Sequence, residues 1–193
     1  IIHNYFFLHY GIVRSKLHKM NRLEDLNDTQ AELMAKGILC SKEVAKEKLR
    51  KIVYDGLKKY FKRIKCYDNV PETFEKFKNA GFKLALLSDF PPEQKGEIWG
   101  VKKYCDVVLG TEQLGALKPD PYSFLEMAKM LNVEPSKILY VGNSKKYDVA
   151  GSHNAGMKCA YLVPFRKRLF KKFIKEPEIC FSNYRQLQDI VLQ

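Results

Sequence analysis

The chain lacks any apolar run near the roughly twenty residues a membrane-spanning helix needs. No such helix is expected, and no membrane partner. Cys40, Cys66, Cys105, Cys159 and Cys180 are scattered, odd in number, and form no Cys-x-x-Cys pair. That excludes the usual zinc spacings and gives no disulfide framework. A reducing, cytoplasmic setting is expected. His3, His9, His18 and His153 show no ligand spacing. There is no internal repeat and no low-complexity linker. The first residue is Ile1, and the opening segment lacks the basic start and small-residue cleavage site of a secretory signal.

What remains is an ordinary globular composition. The 193 residues, 46% apolar and 29% charged, suffice for one domain with a core plus a small accessory domain. The formal charge is +12, carried by 27 Lys and only 7 Arg. Nucleic-acid surfaces favour Arg, and these lysines are spread along helical stretches beside glutamates. They read as a solvated surface, so no nucleic-acid partner is expected. The densest basic stretch, residues 165–173, reads as a helix over the core, with an acidic or membrane-surface contact as the alternative.

Two grammars divide the sequence. Residues 1–66 read as all helix. Tyr5, Leu8, Ile12, Leu17 and Met20 recur at roughly helical spacing. A second helix is expected from Leu23 to Lys36, closed by Gly37, and a third is capped by Ser41. From residue 67 the pattern alternates. Asp68-Asn69-Val70-Pro71 opens a helix that ends at Gly81. Short apolar strands are expected at 83–87, 106–109, 138–141 and 159–163, with helices starting at Asp120-Pro121, ending at Gly156, and running from Tyr184 to Leu192. Strands and helices in alternation imply a parallel sheet covered on both faces. Ligands of such sheets bind beyond the carboxyl ends of the strands.

Three polar groups stand on that edge. Ser88 ends the first apolar run, and its hydroxyl with the following backbone N–H groups can hold an anion's oxygen. Asp89 follows it and can line the same pocket. Lys118, in Gly115-Ala116-Leu117-Lys118-Pro119-Asp120-Pro121, is kept out of a helix by the proline after it. Its ammonium can neutralise a phosphate or a carboxylate. Asn143 and Asp148 lie five apart after the third run, so both oxygens can face one cation, and magnesium takes such oxygens.

In their order and spacing these segments resemble the haloacid dehalogenase-like hydrolase superfamily, mostly phosphatases, over residues 67–163. The resemblance rests on Val70-Pro71-Glu72, on Gly81 to Ser88, on the Lys118 segment, and on Val141-Gly142-Asn143-Ser144 with Asp148 and Gly151 to Met157. It implies a three-layer, Rossmann-like α/β core at 67–193 and a small all-helical cap at 1–66. It implies phosphoryl transfer to an aspartate, then hydrolysis. Ser88 and Lys118 would be the catalytic pair, Ser88, Asp89 and Lys118 would bind phosphate, and Asn143 and Asp148 would hold Mg²⁺. The substrate would be a small phosphorylated metabolite.

Two departures qualify that implication. No Asp-x-Asp motif follows an apolar strand, and Asp25-Leu26-Asn27-Asp28-Thr29 is not preceded by one. The strand that carries the nucleophile is therefore expected to precede Ile1, and the chain as it stands is expected to be inactive. Asn143 stands where the family usually has Asp, which removes a negative charge from the metal position. A metal-independent haloacid dehalogenase and a non-catalytic binding protein on the same fold are the alternatives.

Overall fold

A computed structural model describes residues 2–164 and 176–193. The basic stretch 165–173 lies outside the described residues. The chain divides into two compact units. One comprises Ile1–Ile64, Ser88–Gly96 and Gly110–Leu117, and the other Lys65–Leu87, Glu97–Leu109 and Lys118–Gln193.

The first unit is built on helices α1 (Ile2–Leu17), α2 (Leu26–Ile38) and α3 (Lys42–Lys48). A π-helical stretch, Leu49–Asp55, continues α3 into α4 (Gly56–Phe61). Phe6, Tyr10, Val13 and Leu17 form the buried stripe of α1. They pack with Ala31, Met34, Ala45, Leu49, Val53 and the incoming Leu117. Each large side chain so buried contributes about 1.5–3 kcal/mol. Of the expected stripe, Leu17 is buried and Met20 packs against this cluster, but its first three members face outward. Tyr5, Leu8 and Ile12 are 53%, 66% and 45% exposed. Both stripes obey the helical period, and α1 turns inward the one that also carries Arg14.

Local chemistry sets the helix ends. The Asp25 side chain accepts from the Asp28 N–H at 2.8 Å and starts α2. Ser41 does the same for α3, accepting from the Val44 N–H at 3.3 Å. Gly37 does not close α2. The helix runs on to Ile38, and Leu39 takes the left-handed turn at φ 51°. Gly37 instead makes room for the His9 ring, which occupies the place a β-carbon would take. The Tyr5 hydroxyl donates to the Gly37 carbonyl at 2.9 Å, so α1 and α2 meet there through backbone as well as side chains.

The second unit alternates. It contains α5 (Val70–Asn79), β1 (Ala85–Ser88, whose last residue falls in the first unit), β2 (Val107–Gly110, likewise at its end), α6 (Pro121–Leu131) and β3 (Leu139–Gly142). Then come a π-helical turn (Lys145–Val149), α7 (Ala150–Asn154), β4 (Lys158–Leu162), β5 (Ile179–Phe181) and α8 (Tyr184–Val191). β3, β4 and β5 are parallel, with Tyr140 beside Cys159 and Ala160 beside Ile179. β1 and β2 pair separately. The Leu84 carbonyl accepts from Asp106 N at 2.7 Å and the Ser88 carbonyl from Thr111 N at 2.8 Å, so the ladder advances in one direction and these strands are parallel too.

Strand alternation yields three layers. Ala85, Leu87, Val107, Leu109 and Tyr140 point to one face, covered by Phe124, Met127 and Leu131 of α6 and by Met157. Leu139, Val141, Ala160, Leu162 and Phe181 point to the other, covered by Phe77 of α5 and Leu187 of α8. Leu86 and Val108 meet Val70 and Val101 on that second face. β1 and β3 therefore feed the same covering layer through Leu87 and Tyr140, yet among the described residues no ladder joins the two sheets. Among those residues no helix is long and apolar enough to cross a membrane.

Candidate active site

In the second unit, the end of β3 and the loop before α6 build one buried ionic cluster. β3 runs out at Gly142, and the chain turns through Asn143 and Ser144 into the π-helical turn that carries Asp148. The Ser144 hydroxyl accepts from the Tyr147 N–H at 3.2 Å and starts that turn. Asp148 is then folded back under its own loop. Its Oδ2 accepts from the backbone N–H groups of Asn143 at 3.0 Å and Ser144 at 2.9 Å. Only glycine suits position 142, since a β-carbon there would lie 2.6 Å from the Asp148 Cγ.

Asp148 Oδ1 takes the other partner. The Lys118 ammonium donates to it at 2.8 Å and to the Tyr140 hydroxyl at 3.4 Å. Lys118 and Asp148 side chains are 13% and 6% exposed. The lysine is held by the turn that follows it. Its bond to Pro119 is cis, and Asp120 caps α6 by accepting from the Tyr122 N–H at 2.8 Å. Gly151 at the start of α7 lets the Pro119 backbone approach, where a β-carbon would sit 3.1 Å from its Cα. Asn154 donates to the Pro119 carbonyl at 3.3 Å. The structure thus brings together Lys118, Asn143 and Asp148.

Ser88 and Asp89 belong to the other unit. There the Ser88 Oγ accepts from the Lys95 ammonium at 2.6 Å and from the Phe90 N–H at 3.2 Å. The Thr111 hydroxyl donates to Asp89 Oδ1 at 2.8 Å. Next to Thr111 lies a pair that sequence reasoning missed. Arg14 Nη1 stands 2.5 Å from Glu112 Oε1 and 3.2 Å from Gln30 Oε1. The guanidinium lies over the Phe90 ring at 5.3 Å and donates to the Asp89 carbonyl at 3.4 Å. Tyr54 donates to Glu112 Oε2 at 3.0 Å and accepts from Gln30 Nε2 at 2.8 Å. Burial pushes the Glu112 carboxyl above its ordinary value, against the pull of Arg14 and Tyr54. Burial would lower the Arg14 guanidinium, but the neighbouring Tyr10 and Glu112 oxygens raise it. Burial also takes the Tyr10 phenol up to about 12. Arg14 is spent on packing this loop. The one sequence signal was Arg14 falling on the Tyr10–Val13–Leu17 face.

Mg²⁺ takes several oxygens at about 2.0–2.1 Å. Asp148 is the one carboxylate of its turn, and four donors already point at its oxygens or lie against them. Asn143 offers an uncharged amide. Among the described residues no group of three or more His, Cys, Asp or Glu is placed to hold a metal ion. The described residues therefore do not by themselves fit Mg²⁺.

The model of the family described as haloacid dehalogenase-like hydrolase matches residues 2–162. The chain belongs to that family. A curated phosphoglycolate phosphatase from Aquifex aeolicus is 31% identical over 126 residues, 61% of this chain and 59% of that protein. The chain thus matches little more than half the length of this relative. Among solved structures, a phosphatase of the same superfamily from Thermococcus onnurineus aligns with a TM-score of 0.63 at 23% identity, covering 81% of this chain and 84% of that one. A 2-haloacid dehalogenase from Pseudomonas syringae aligns with a TM-score of 0.64 at 21% identity, covering 95% and 80%. These likenesses establish the Rossmann-like α/β fold with its helical cap, and the hydrolase family with phosphatase relatives.

Proposed function

We propose that the full-length protein is a phosphatase of a small phosphorylated metabolite. The observation that carries it is the Lys118 ammonium, buried and pinned to Asp148 at 2.8 Å at the carboxyl edge of the sheet. A fixed cation there neutralises an incoming phosphoryl group without having to reorganise during reaction. Ser88 donates its hydroxyl to a phosphoryl oxygen, and Asp89 offers its backbone N–H. Asp148 orients Lys118 and holds the Asn143–Ser144 backbone. Residues 1–66 act as the cap that excludes water, and residues 67–193 as the core. The nucleophilic aspartate lies on a strand preceding Ile1, in keeping with the two unjoined sheets. That strand must also bring carboxylates if Asn143 and Asp148 are to hold Mg²⁺. The five cysteines form no disulfide with one another, which suits a reducing cytoplasm, where we place the protein.

The test is turnover of phosphoglycolate and p-nitrophenyl phosphate by the full-length protein, with and without EDTA. Lys118→Ala should lower kcat by at least about a hundredfold, the usual worth of one electrostatic group. Equal turnover by that variant would end this reading. A metal-independent haloacid dehalogenase is the second reading, favoured by the uncharged Asn143 and the occupied Asp148. Chloride release from 2-chloropropionate in EDTA, with no phosphatase activity, would establish it instead.

A further inference from the structure

The geometry points to Thr111 as the residue that positions the Ser88–Asp89 turn for a phosphoryl group. This rests on the phosphatase reading and extends it to a residue that neither the resemblance nor the family match singles out. Within the turn the Phe90 N–H donates to the Ser88 Oγ at 3.2 Å, a bond at the long end of the range. Two shorter bonds come from Thr111, which follows β2. Its N–H donates to the Ser88 carbonyl at 2.8 Å. Its hydroxyl donates to Asp89 Oδ1 at 2.8 Å. A carboxylate oxygen accepts, so the one hydrogen of the threonine hydroxyl is set on Asp89. Two successive residues of the turn, one through its backbone and one through its side chain, are thus tied to a single neighbour.

Thr111 is itself fixed at every polar atom. The residue is fully buried, at 0% exposure. Its carbonyl accepts from the Leu114 N–H at 3.1 Å and the Ala116 N–H at 3.3 Å, so it also closes the loop that precedes the Lys118 segment. β-branching leaves its hydroxyl few rotamers. Arg14 adds a bond from α1, donating to the Asp89 carbonyl at 3.4 Å. A phosphoryl group gains most from donors that need not move as its charge develops. A misplacement of about 1 Å can cost about a hundredfold in rate. Thr111 therefore acts through Ser88 and Asp89, holding the Ser88 hydroxyl and the Asp89 N–H where the phosphoryl oxygens bind.

Steady-state turnover of phosphoglycolate and p-nitrophenyl phosphate by the full-length protein tests this. Thr111→Val keeps the branched shape and the backbone bonds but loses the hydroxyl. It should lower kcat about tenfold, the worth of one hydrogen bond to a charged group, with KM held within about twofold. Thr111→Ser restores the hydroxyl and should recover most of kcat. Asp89→Ala cuts the same bond from its other end and should match Thr111→Val, and the double variant should lose no more than either single one. Equal kcat for Thr111→Val and wild type would overturn the inference and leave the phosphatase reading standing. A kcat in Thr111→Ser as low as in Thr111→Val would overturn it too, because volume and not the hydroxyl would be the cause. Additive losses in the double variant would do the same, since Thr111 would then act apart from Asp89. If Thr111→Val does not fold, Asp89→Ala decides, and an unchanged kcat there overturns the inference. No turnover of either ester by the wild-type protein would overturn both proposals.

Discussion

Replacing Asp148 by Ala distinguishes a carboxylate that holds a lysine from one that awaits a metal. At 2.8 Å, with an effective dielectric near 20, the Lys118–Asp148 attraction is about 6 kcal/mol before desolvation. Desolvation takes back a large part of that. Removal of one partner of a buried pair nevertheless costs about 3–5 kcal/mol, because the other charge stays buried without its counter-charge. The Asn143 and Ser144 N–H groups lose their shared acceptor as well. Domains of this size are stable by about 5–15 kcal/mol, so the variant should lose at least about a fifth of its stability. Urea unfolding in EDTA, read by far-UV circular dichroism, should show the midpoint falling by at least about a fifth with the slope unchanged. Asp148→Asn should fall less, since an amide oxygen can still accept the two N–H groups. If Asp148 were chiefly a metal ligand among other carboxylates, its removal without metal would relieve repulsion and leave the midpoint level or higher. That result would refute the pairing argument.

Two further outcomes follow from buried groups. Glu112→Ala leaves Arg14 buried without its partner and should cost about 3–5 kcal/mol in urea unfolding, whereas Arg14→Met with Glu112→Leu should recover most of it. If the double variant is no better than the single, the pair is not an isolated unit. Cys159 is fully buried, and burial pushes its thiol up to about 11. A raised acid value means the folded state keeps the proton longer, so stability is lost as pH rises from about 8.5, the free thiol value, toward 11. In native protein at pH 8, Ellman's reagent should modify the exposed Cys180 and leave Cys159 untouched until denaturant is added. Early modification of Cys159 would contradict its burial on β4 against Val149 and Tyr161.

Much of the fold was legible because the signals are local. Strands expected at 83–87, 106–109, 138–141 and 159–163 appear as Ala85–Ser88, Val107–Gly110, Leu139–Gly142 and Lys158–Leu162. Short runs of branched and aromatic residues between Gly and Pro leave few alternatives. Ser41 and Asp120 begin helices through their side chains, and Gly81 ends one through its left-handed backbone at φ 85°. β5 was missed, for Ile179–Phe181 is three residues long and is a strand only because Leu162 and Ala160 pair with it. Gly37 was misread for a related reason. Its smallness serves a tertiary approach by His9, and a sequence shows only that a small residue is present.

The site divides along the same line. Lys118, Asn143 and Asp148 were legible as a group because each follows a strand or precedes a Pro that fixes its loop, and 2.8 Å between Lys118 and Asp148 is where that placement leads. What a sequence cannot display is how a carboxylate spends its lone pairs. Asp148 read as a cation ligand from its spacing to Asn143, yet its oxygens are committed to Lys118 and to two backbone N–H groups of its own turn. Arg14 and Glu112 lie 98 residues apart and are joined only by folding. Lys95, one of 27 lysines, donates to the Ser88 hydroxyl, a contact that no spacing in the sequence announces. Charge in this protein is therefore read from partners. Lys118 is fixed by the Asp148 carboxylate before any anion arrives, and only the folded chain shows that partner.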